Sequence, residues 1–411
     1  MAKEAQTYRA VPRRGELRSP PRGAGRRERR APAGALEAPR LVAKALRTAR
    51  AAEGEEGGLR FLPPLEQLVE AVAAEAHLTT AGKRSTAESI TASLVTQLRL
   101  ERAAEEQPEV ERAPIEAPVF VVGLHRTGTT LLQNLLAQHP GVHAPLLWEL
   151  LHPVTPVRTA ADRRRLVEAT DAYVRGYYRA APALRAIHFL HPELPEECHR
   201  LLGTTFTSEI FGIRYRVPSY LRWLEAQDAR EAYRHHRRLL AHVLARGPGG
   251  PAVLKCPTHL SHLDSLGAVY PDARLVRLHR DPVVAVASAS SLTAVVRSAR
   301  SDAVDKHEIG RERLEQAVLA LARARRALET RPLPVLDLRY RDLVADPLGT
   351  VATVCDFAGL PLGRTAERRM RRFLDADPHE GGRHAYTLEE FGLDPARTAA
   401  RFADYRAELA L

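Results

Sequence analysis

The sequence Gly123-Leu-His-Arg-Thr-Gly-Thr-Thr130 decides the fold of this chain. It follows a short apolar, β-branched run over 117–122 and precedes residues 130–137, where leucines recur at helical spacing. A strand, a glycine-containing turn and a helix in this order open an α/β unit. Further strand patterns alternate with helical ones over 251–254, 273–278 and 333–338. We therefore predict an α/β fold with a P-loop-type three-layer core, a parallel sheet and helical insertions.

The turn itself has the spacing of a phosphate-binding loop, with Gly123 and Gly128 at its two ends. Backbone N–H groups in such a loop, together with the positive end of the following helix, attract an anion. A nucleoside triphosphatase needs a lysine directly after the second glycine, but Thr129 stands there and the cation lies inside the loop, at Arg126. The loop therefore predicts a bound phosphate, but not a triphosphate with Mg²⁺ in the usual arrangement.

A second phosphate contact is predicted after the strand over 273–278. Arg280 stands at the end of this strand, and Asp281-Pro282 begins a helix that carries Ser288 about two turns along. A guanidinium and a hydroxyl that converge from these positions can bind one phosphate group. Arg-Asp-Pro alone is a common helix start, and it becomes specific only together with the first loop.

These two motifs resemble those of the sulfotransferases that use 3′-phosphoadenosine 5′-phosphosulfate (PAPS). The resemblance implies that the first loop holds the 5′-phosphosulfate through His125, Arg126, Thr127, Gly128, Thr129 and Thr130. It also implies that Arg280 and Ser288 hold the 3′-phosphate and that Tyr340 helps to contain the adenine. Arg383 and His384 fall in a segment similar to the C-terminal nucleotide-binding segment of the bacterial branch.

Sulfuryl transfer needs cations over the transferring group and a base for the acceptor hydroxyl. We expect Arg126 and Lys255 to be these cations. Lys255 follows the strand over 251–254, at the end of a parallel strand where ligands bind, and the family has a lysine near the sulfate. Because arginine and lysine can stabilise the charge, the chemistry requires no metal.

Two residues compete for the role of the base. His259 stands four positions after Lys255 and resembles the histidine of the cytosolic aryl and steroid sulfotransferases, which follows its lysine by two positions. Glu149 stands where tyrosylprotein sulfotransferases carry a catalytic glutamate. Histidine titrates near neutral pH, whereas a glutamate base needs a pKa raised by burial. We favour Glu149 over His259, with His125 of the loop as a third candidate.

The net charge of +11 belongs almost entirely to the N-terminus. Residues 1–50 hold 14 Lys and Arg against 4 Asp and Glu, which leaves a net charge of about +1 for the other residues of the 411. The near-neutral remainder gives no reason to expect a nucleic-acid partner for the core. We predict that residues 1–39, rich in Arg, Pro and Gly, form a disordered tail.

The organisation that we predict for the remainder has two parts. A helical lead-in covers 40–110, with one helix around Leu65 and another over 87–100, after a capping signal at Ser85. The sulfotransferase α/β domain covers 111–411, and its helical insertion at about 150–250 builds the acceptor pocket. This insertion is rich in tyrosines, namely Tyr173, Tyr177, Tyr178, Tyr215 and Tyr220.

Several classes of acceptor and a partner copy of the chain are compatible with the sequence. A phenol, a sugar, a lipid alcohol, a natural-product alcohol or a peptide hydroxyl would serve, and a homodimer is compatible with the sequence. The chain has no apolar run long enough for a membrane span, and three cysteines without metal spacing favour a cytoplasmic location. Two histidine pairs, His188 with His191 near Glu193 and His259 with His262, have no further ligand at a fixed metal-binding spacing.

Two functions other than sulfuryl transfer are also compatible with parts of the sequence, and each would lead to different behaviour. A P-loop kinase or NTPase would use Asp337, at the end of an apolar strand, as its Mg²⁺ acid. A non-enzymatic nucleic-acid binder would depend on the basic tail, and its binding would weaken steeply with salt.

Overall fold

A four-stranded parallel sheet forms the centre of the protein. The computed structural model describes residues 36–50, 55–247, 249–376 and 386–411. The strands are β1 (Val119–Gly123), β2 (Val253–Lys255), β3 (Arg274–His279) and β4 (Val335–Arg339), in the order β2-β1-β3-β4. The predicted α/β fold with a parallel sheet is therefore confirmed.

The strands form where the sequence places short β-branched runs. All five residues of β1 are buried, as expected for a central strand covered on both faces. Val121 pairs with Lys255 on one side, and Gly123 pairs with Leu278 on the other. This register brings Gly123, Lys255 and His279 to the same carboxyl edge of the sheet.

Helices precede the sheet and fill the long connection between β1 and β2. The first four are α1 (Ala38–Ala49), α2 (Leu62–Glu75), α3 (Thr80–Glu106) and α4 (Pro108–Arg112). Between β1 and β2 lie α5 (Thr129–Leu136), α6 (Leu147–Leu151), α7 (Ala160–Ala180), α8 (Leu184–Ile187), α9 (His199–Leu202), α10 (Ile210–Arg214), α11 (Pro218–Glu225) and α12 (Arg230–Leu244). Helices α2 and α3 lie where the two lead-in helices were predicted. The capping prediction at Ser85 was wrong, because α3 begins earlier and Thr79 caps it by accepting a hydrogen bond from the Gly82 N–H.

The remaining helices complete the layers. They are α13 (Leu263–Val269), α14 (Pro282–Ser298), α15 (Lys306–Thr330), α16 (Tyr340–Ala345), α17 (Pro347–Ala358), α18 (Arg364–Asp375), α19 (Pro395–Ala400) and α20 (Ala403–Leu409). Helices α5, α17 and α18 cover one face of the sheet through Leu135, Val354 and Met370. Helices α12, α13 and α15 cover the other face, so the sheet lies in the middle of three layers.

The N-terminal helices build a second apolar core against the insertion. Leu65, Leu94 and Tyr220 are fully buried in this core, which α10 and α11 complete.

Within the described ranges, no helix is both long enough and apolar enough to cross a membrane. The predicted tail lies outside the described residues up to position 35, and α1 begins at Ala38. The division into a lead-in and a main domain stays a prediction.

Candidate functional site

The predicted phosphate loop connects β1 to α5 at the carboxyl edge of the sheet. Glycine is required at both of its ends. A Cβ on Gly123 would lie 2.5 Å from the Leu278 carbonyl oxygen, and a Cβ on Gly128 would lie 2.7 Å from the ring of Tyr340. Gly128 also has φ of +92°, a conformation that a side chain disfavours. Arg126 adopts the left-handed conformation too, with φ of +70°, which costs energy and is common at ligand sites.

The two predicted phosphate motifs meet at Arg126. Its Nε donates to the Ser288 hydroxyl at 3.2 Å, and its backbone carbonyl accepts from the Arg280 guanidinium at 2.8 Å. Ser288 is buried on the second turn of α14, which Asp281 caps through the Val283 N–H. The structure therefore brings together the three residues that the sequence placed on two separate phosphate contacts.

Tyr340 closes the same cluster. The Arg280 guanidinium stacks over its ring at 4.4 Å from the centroid, and the ring lies against Gly128. Tyr340 is the first residue of α16, directly after β4, so it too projects from the carboxyl edge. Arg383 and His384 lie outside the described residues.

Lys255 ends β2 and points towards the first turn of α5. Its ammonium donates to the Thr130 hydroxyl at 3.2 Å and to a Glu197 carboxylate oxygen at 2.6 Å. The lysine side chain is only 1% exposed, and a charge buried this deeply requires a partner of opposite charge. Thr127, by contrast, donates to the Leu124 carbonyl and shapes the loop from within.

Glu197 is a buried residue of this cluster that the sequence analysis missed. It is buried beside Lys255, and its carboxylate also contacts His199 Nδ1 at 3.0 Å. Burial alone would raise the pKa of Glu197, but the Lys255 ammonium and the hydrogen bond from His199 hold it well below the usual range. A charged carboxylate thus lies beside the phosphate loop, joined to the cation that faces that loop.

Its neighbour Glu196 is held by different partners. The Glu196 carboxylate lies 3.4 Å from His188 Nε2 and 3.3 Å from an Arg200 nitrogen. Burial would raise the pKa of Glu196, but His188 and Arg200 lower it to about 2.

Two histidines beside the loop are uncharged. Burial lowers the pKa of His125 and of His199 to about 4, so both imidazoles are neutral at pH 7.

A pocket opens beside the loop and is lined by His125, Glu196, Glu197 and His199. Helices α7, α8, α10 and α14 form its walls. Of the five tyrosines predicted to build an acceptor pocket, Tyr173 and Tyr177 line it, whereas Tyr220 is buried in the N-terminal core with its hydroxyl donating to the Phe206 carbonyl.

Glu149, the favoured candidate for the base, has partners other than Arg126 and Lys255. Glu149 is buried on α6, where it accepts from the Leu146 N–H at 2.8 Å and lies 3.3 Å from His143 Nε2. His143 pairs with Ala252, at the amino end of β2, whereas Lys255 stands at the carboxyl end of that strand. Glu149 therefore caps α6, and its described partners are Leu146 and His143 rather than Arg126 or Lys255; its predicted role as the base stays a prediction.

His259 is equally enclosed. It is fully buried, its Nδ1 lies 2.7 Å from the Tyr233 hydroxyl, and Phe120 packs edge-on against its ring. Burial and the neighbouring His236 lower its pKa well below the usual range. An imidazole in this core position stabilises the packing beneath β1 and does not reach the pocket.

Asp337 does not have the surroundings of a magnesium ligand. Its two oxygens accept from Arg277 at 2.6 and 2.8 Å, and His279 Nε2 lies 2.8 Å from one of them. His279 in turn contacts the Tyr405 hydroxyl at 2.6 Å. Asp337 therefore joins the sheet to α20, and this arrangement disfavours a kinase or NTPase.

One group of metal-ligating side chains occurs among the residues that the structure describes. Glu197, His199 and Cys256 have donor atoms within 4.8 Å of one another. The Lys255 ammonium already lies 2.6 Å from Glu197, so the positive charge that this carboxylate requires comes from the chain itself.

Comparisons with known proteins agree with this geometry. The model of the sulfotransferase family matches residues 118–364. Sulfotransferase STF1 from Mycobacterium tuberculosis H37Rv has 30% identity and a TM-score of 0.77, covering 89% of this chain and 98% of that chain. Sulfotransferase STF9 from Mycobacterium avium has 26% identity and a TM-score of 0.78, covering 90% and 96%. Omega-hydroxy-beta-dihydromenaquinone-9 sulfotransferase Stf3 from Mycobacterium tuberculosis is 26% identical over 299 residues, which cover 66% of this chain and 70% of Stf3.

Proposed function

Because this chain belongs to the sulfotransferase family, we propose that it transfers a sulfuryl group from PAPS to the hydroxyl group of an acceptor molecule. The donor binds at the carboxyl edge of the sheet. Its phosphosulfate lies in the loop that begins at Gly123, its 3′-phosphate lies against Arg280 and Ser288, and its adenine lies near Tyr340. The clustering of Arg126, Arg280 and Ser288 within hydrogen-bond distance supports this placement.

The observation that carries the proposal is the buried pair of Lys255 and Glu197 beside Thr130. A lysine at this position can stabilise the charge that develops on the phosphate oxygen as it leaves. A carboxylate beside it can take the proton of an acceptor hydroxyl. We therefore assign the base to Glu197 in place of Glu149 and His259.

Sulfuryl transfer exchanges one bond at sulfur for another. The acceptor oxygen forms a bond to sulfur while the bond between sulfur and the phosphate oxygen breaks, and its electron pair stays with the leaving 3′-phosphoadenosine 5′-phosphate. The hydroxyl proton passes to Glu197. When the Lys255 ammonium turns towards the sulfuryl group, Glu197 loses its nearest cation, so its pKa rises and proton transfer becomes more favourable. Arg126 and Lys255 stabilise the charge on the transferring group.

The acceptor enters the pocket beside the loop. Its apolar lining includes Leu184, Ile213 and Val296, which suits a lipid or another alcohol with an apolar body. The name of the relative Stf3 gives a hydroxylated menaquinone as its acceptor, and this supports a lipid alcohol here. The three cysteines are free and buried, in keeping with the reducing cytoplasm. A homodimer stays a prediction.

The test is transfer of radiolabelled sulfur from PAPS to lipid alcohols and phenols. We expect labelled product with at least one acceptor, and none with the Lys255→Met variant at equal protein concentration. The matched control is Lys306→Met, which removes an exposed lysine paired with Glu390 and should leave the rate unchanged. Failure of the native chain to use PAPS with any hydroxyl acceptor would contradict the proposal.

A further inference from the structure

Three arginines from separate elements line the pocket beside the loop. They are Arg200 on α9, Arg214 at the end of α10 and Arg300 just after α14. The side chain of Arg200 is 6% exposed. Three guanidinium groups that share one pocket repel one another, so their presence together needs a compensating negative charge.

The described residues supply only part of that charge. Glu197 is paired with Lys255, and Glu196 is paired with Arg200. Arg214 and Arg300 have no carboxylate partner within the ranges that the structure describes. Arg300 stacks over the Tyr177 ring at 5.2 Å, and Arg214 lies 5.9 Å from the centroid of Phe211. Neutral aromatic rings attract a cation without cancelling its charge.

The lining histidines do not change this balance. His125 and His199 are neutral at pH 7, because burial lowers the pKa of each to about 4. Two positive charges, those of Arg214 and Arg300, therefore remain without a compensating anion. The guanidinium Nε atoms of Arg200 and Arg300 are also buried without a hydrogen-bond partner among the described residues. Buried N–H donors of this kind are costly unless a ligand accepts from them.

The pKa values of two side chains in the pocket reflect the positive charge of the three arginines. Burial would raise the pKa of Tyr173, but Arg200, Arg214 and Arg300 together lower it. Burial and the neighbouring Arg200 lower the pKa of Arg214. Both directions reflect neighbouring positive charge, whereas burial would lower the pKa of Arg200 and of Arg300 but Tyr173 and Tyr177 beside them raise it.

The rest of the lining is apolar and consists of Leu184, Leu190, Ile210, Ile213, Leu292 and Val296. In the proposed function, the negatively charged groups of the sulfuryl donor are bound by other residues, namely Arg126, Lys255 and Arg280. Arg214 and Arg300, which have no carboxylate partner among the described residues, are thus available to a second ligand. We propose that the acceptor is an anionic amphiphile, which places a carboxylate or phosphate group against Arg214 and Arg300 and its apolar body against these side chains. This inference rests on the proposed function and names the substrate class of the same site.

The test compares two ligands that differ only in charge. Binding of 12-hydroxydodecanoate and of its methyl ester is measured by calorimetry on the full chain saturated with 3′-phosphoadenosine 5′-phosphate. A charge-assisted hydrogen bond contributes about 1.5–3 kcal/mol, so we expect the acid to bind roughly 10–100-fold more tightly than the ester. The preference should weaken as salt is raised.

Two variants assign this preference to the pocket. Arg214→Gln should remove most of the difference between acid and ester, and its Tm should not fall, because the substitution relieves repulsion between like charges. The control Arg222→Gln changes an exposed arginine on α11 and should keep the preference intact. Both variants should bind the nucleotide as the native chain does.

The outcomes separate the two proposals. Equal affinity for acid and ester in the nucleotide-bound protein, no binding of the acid, or equal effects of both variants would overturn the anionic subsite and leave the transferase intact. Absence of nucleotide binding by the native chain would overturn the proposed function and the subsite with it.

Discussion

Glu197→Gln tests whether Glu197 accepts a proton in the reaction or serves only as a hydrogen-bond partner of Lys255. Glutamine keeps the size of the side chain and an oxygen that can accept from Lys255, which lies 2.6 Å from the carboxylate, but it cannot take a proton. General-base catalysis contributes about 10²–10⁴ in rate, which corresponds to about 2.7–5.4 kcal/mol in activation free energy. We therefore expect kcat to fall by that factor while nucleotide affinity stays within about threefold.

The structural cost of the same substitution must be measured beside it. Removing one partner of a buried ion pair costs about 3–5 kcal/mol in stability, and the retained hydrogen bond makes the loss smaller for glutamine. Urea unfolding gives this free energy, and single-turnover transfer from radiolabelled PAPS gives the rate of the chemical step. The variant is compared with the native chain at a temperature at which both are folded.

Glu196→Gln is the matched control. Glu196 is also a buried, paired carboxylate of the same pocket, but its partners are His188 and Arg200 in place of Lys255. We expect this variant to lose stability and acceptor affinity with a much smaller change in kcat. Equal losses in kcat for the two variants, or a larger loss for Glu196→Gln, would refute the assignment of the base to Glu197.

Three further predictions concern the nucleotide contact, the helix cap and the buried histidines. Arg280→Ala should weaken nucleotide binding by roughly 10–100-fold, the equivalent of about 1.5–3 kcal/mol, and unchanged affinity in calorimetry would contradict the 3′-phosphate assignment. Glu149→Ala should lower stability by about 1 kcal/mol through loss of the α6 cap and leave kcat within about twofold; a fall of a hundredfold would return the base to Glu149. Burial, with a contribution from His235, lowers the pKa of His236 to about 3, so the unfolded chain takes up a proton below about pH 6.5 that the folded chain refuses. Stability should therefore fall as the pH is lowered from 6.5 towards 3, and His236→Gln should flatten the dependence of Tm on pH; an unchanged slope would contradict this origin.

The sequence predicted that Arg126, Arg280 and Ser288 lie near one another because the signals of their two segments are local. The loop from Gly123 to Thr130 carries its own strand, turn and helix, and the segment from Arg280 to Ser288 does the same. The register of the parallel sheet then requires these segments to meet at one edge. Nothing beyond strand order was needed to bring Arg126, Arg280 and Ser288 together.

The proposed base could not be predicted in this way because its position depends on a long-range contact. Glu197 lies in a proline-containing connection between α8 and α9, and this connection reaches the sheet where the Cys198 N–H donates to the Lys255 carbonyl at 3.0 Å. The resemblance to the tyrosylprotein sulfotransferases favoured Glu149, which in the fold accepts from the Leu146 N–H as a helix cap. The available signal was the pair Glu196-Glu197 within an otherwise weakly charged segment, and it does not indicate which strand the pair approaches.

Calorimetric binding of 3′-phosphoadenosine 5′-phosphate, compared with that of ATP with Mg²⁺, shows which nucleotide the loop at Gly123 accepts. The loop has Thr129 where a triphosphatase has lysine, and Asp337 is engaged by Arg277 and His279. We predict one saturable site for 3′-phosphoadenosine 5′-phosphate, with affinity at least tenfold higher than that for ATP with Mg²⁺. Tighter binding of ATP with Mg²⁺, or no binding of 3′-phosphoadenosine 5′-phosphate, would contradict the assignment of this site to a sulfuryl donor.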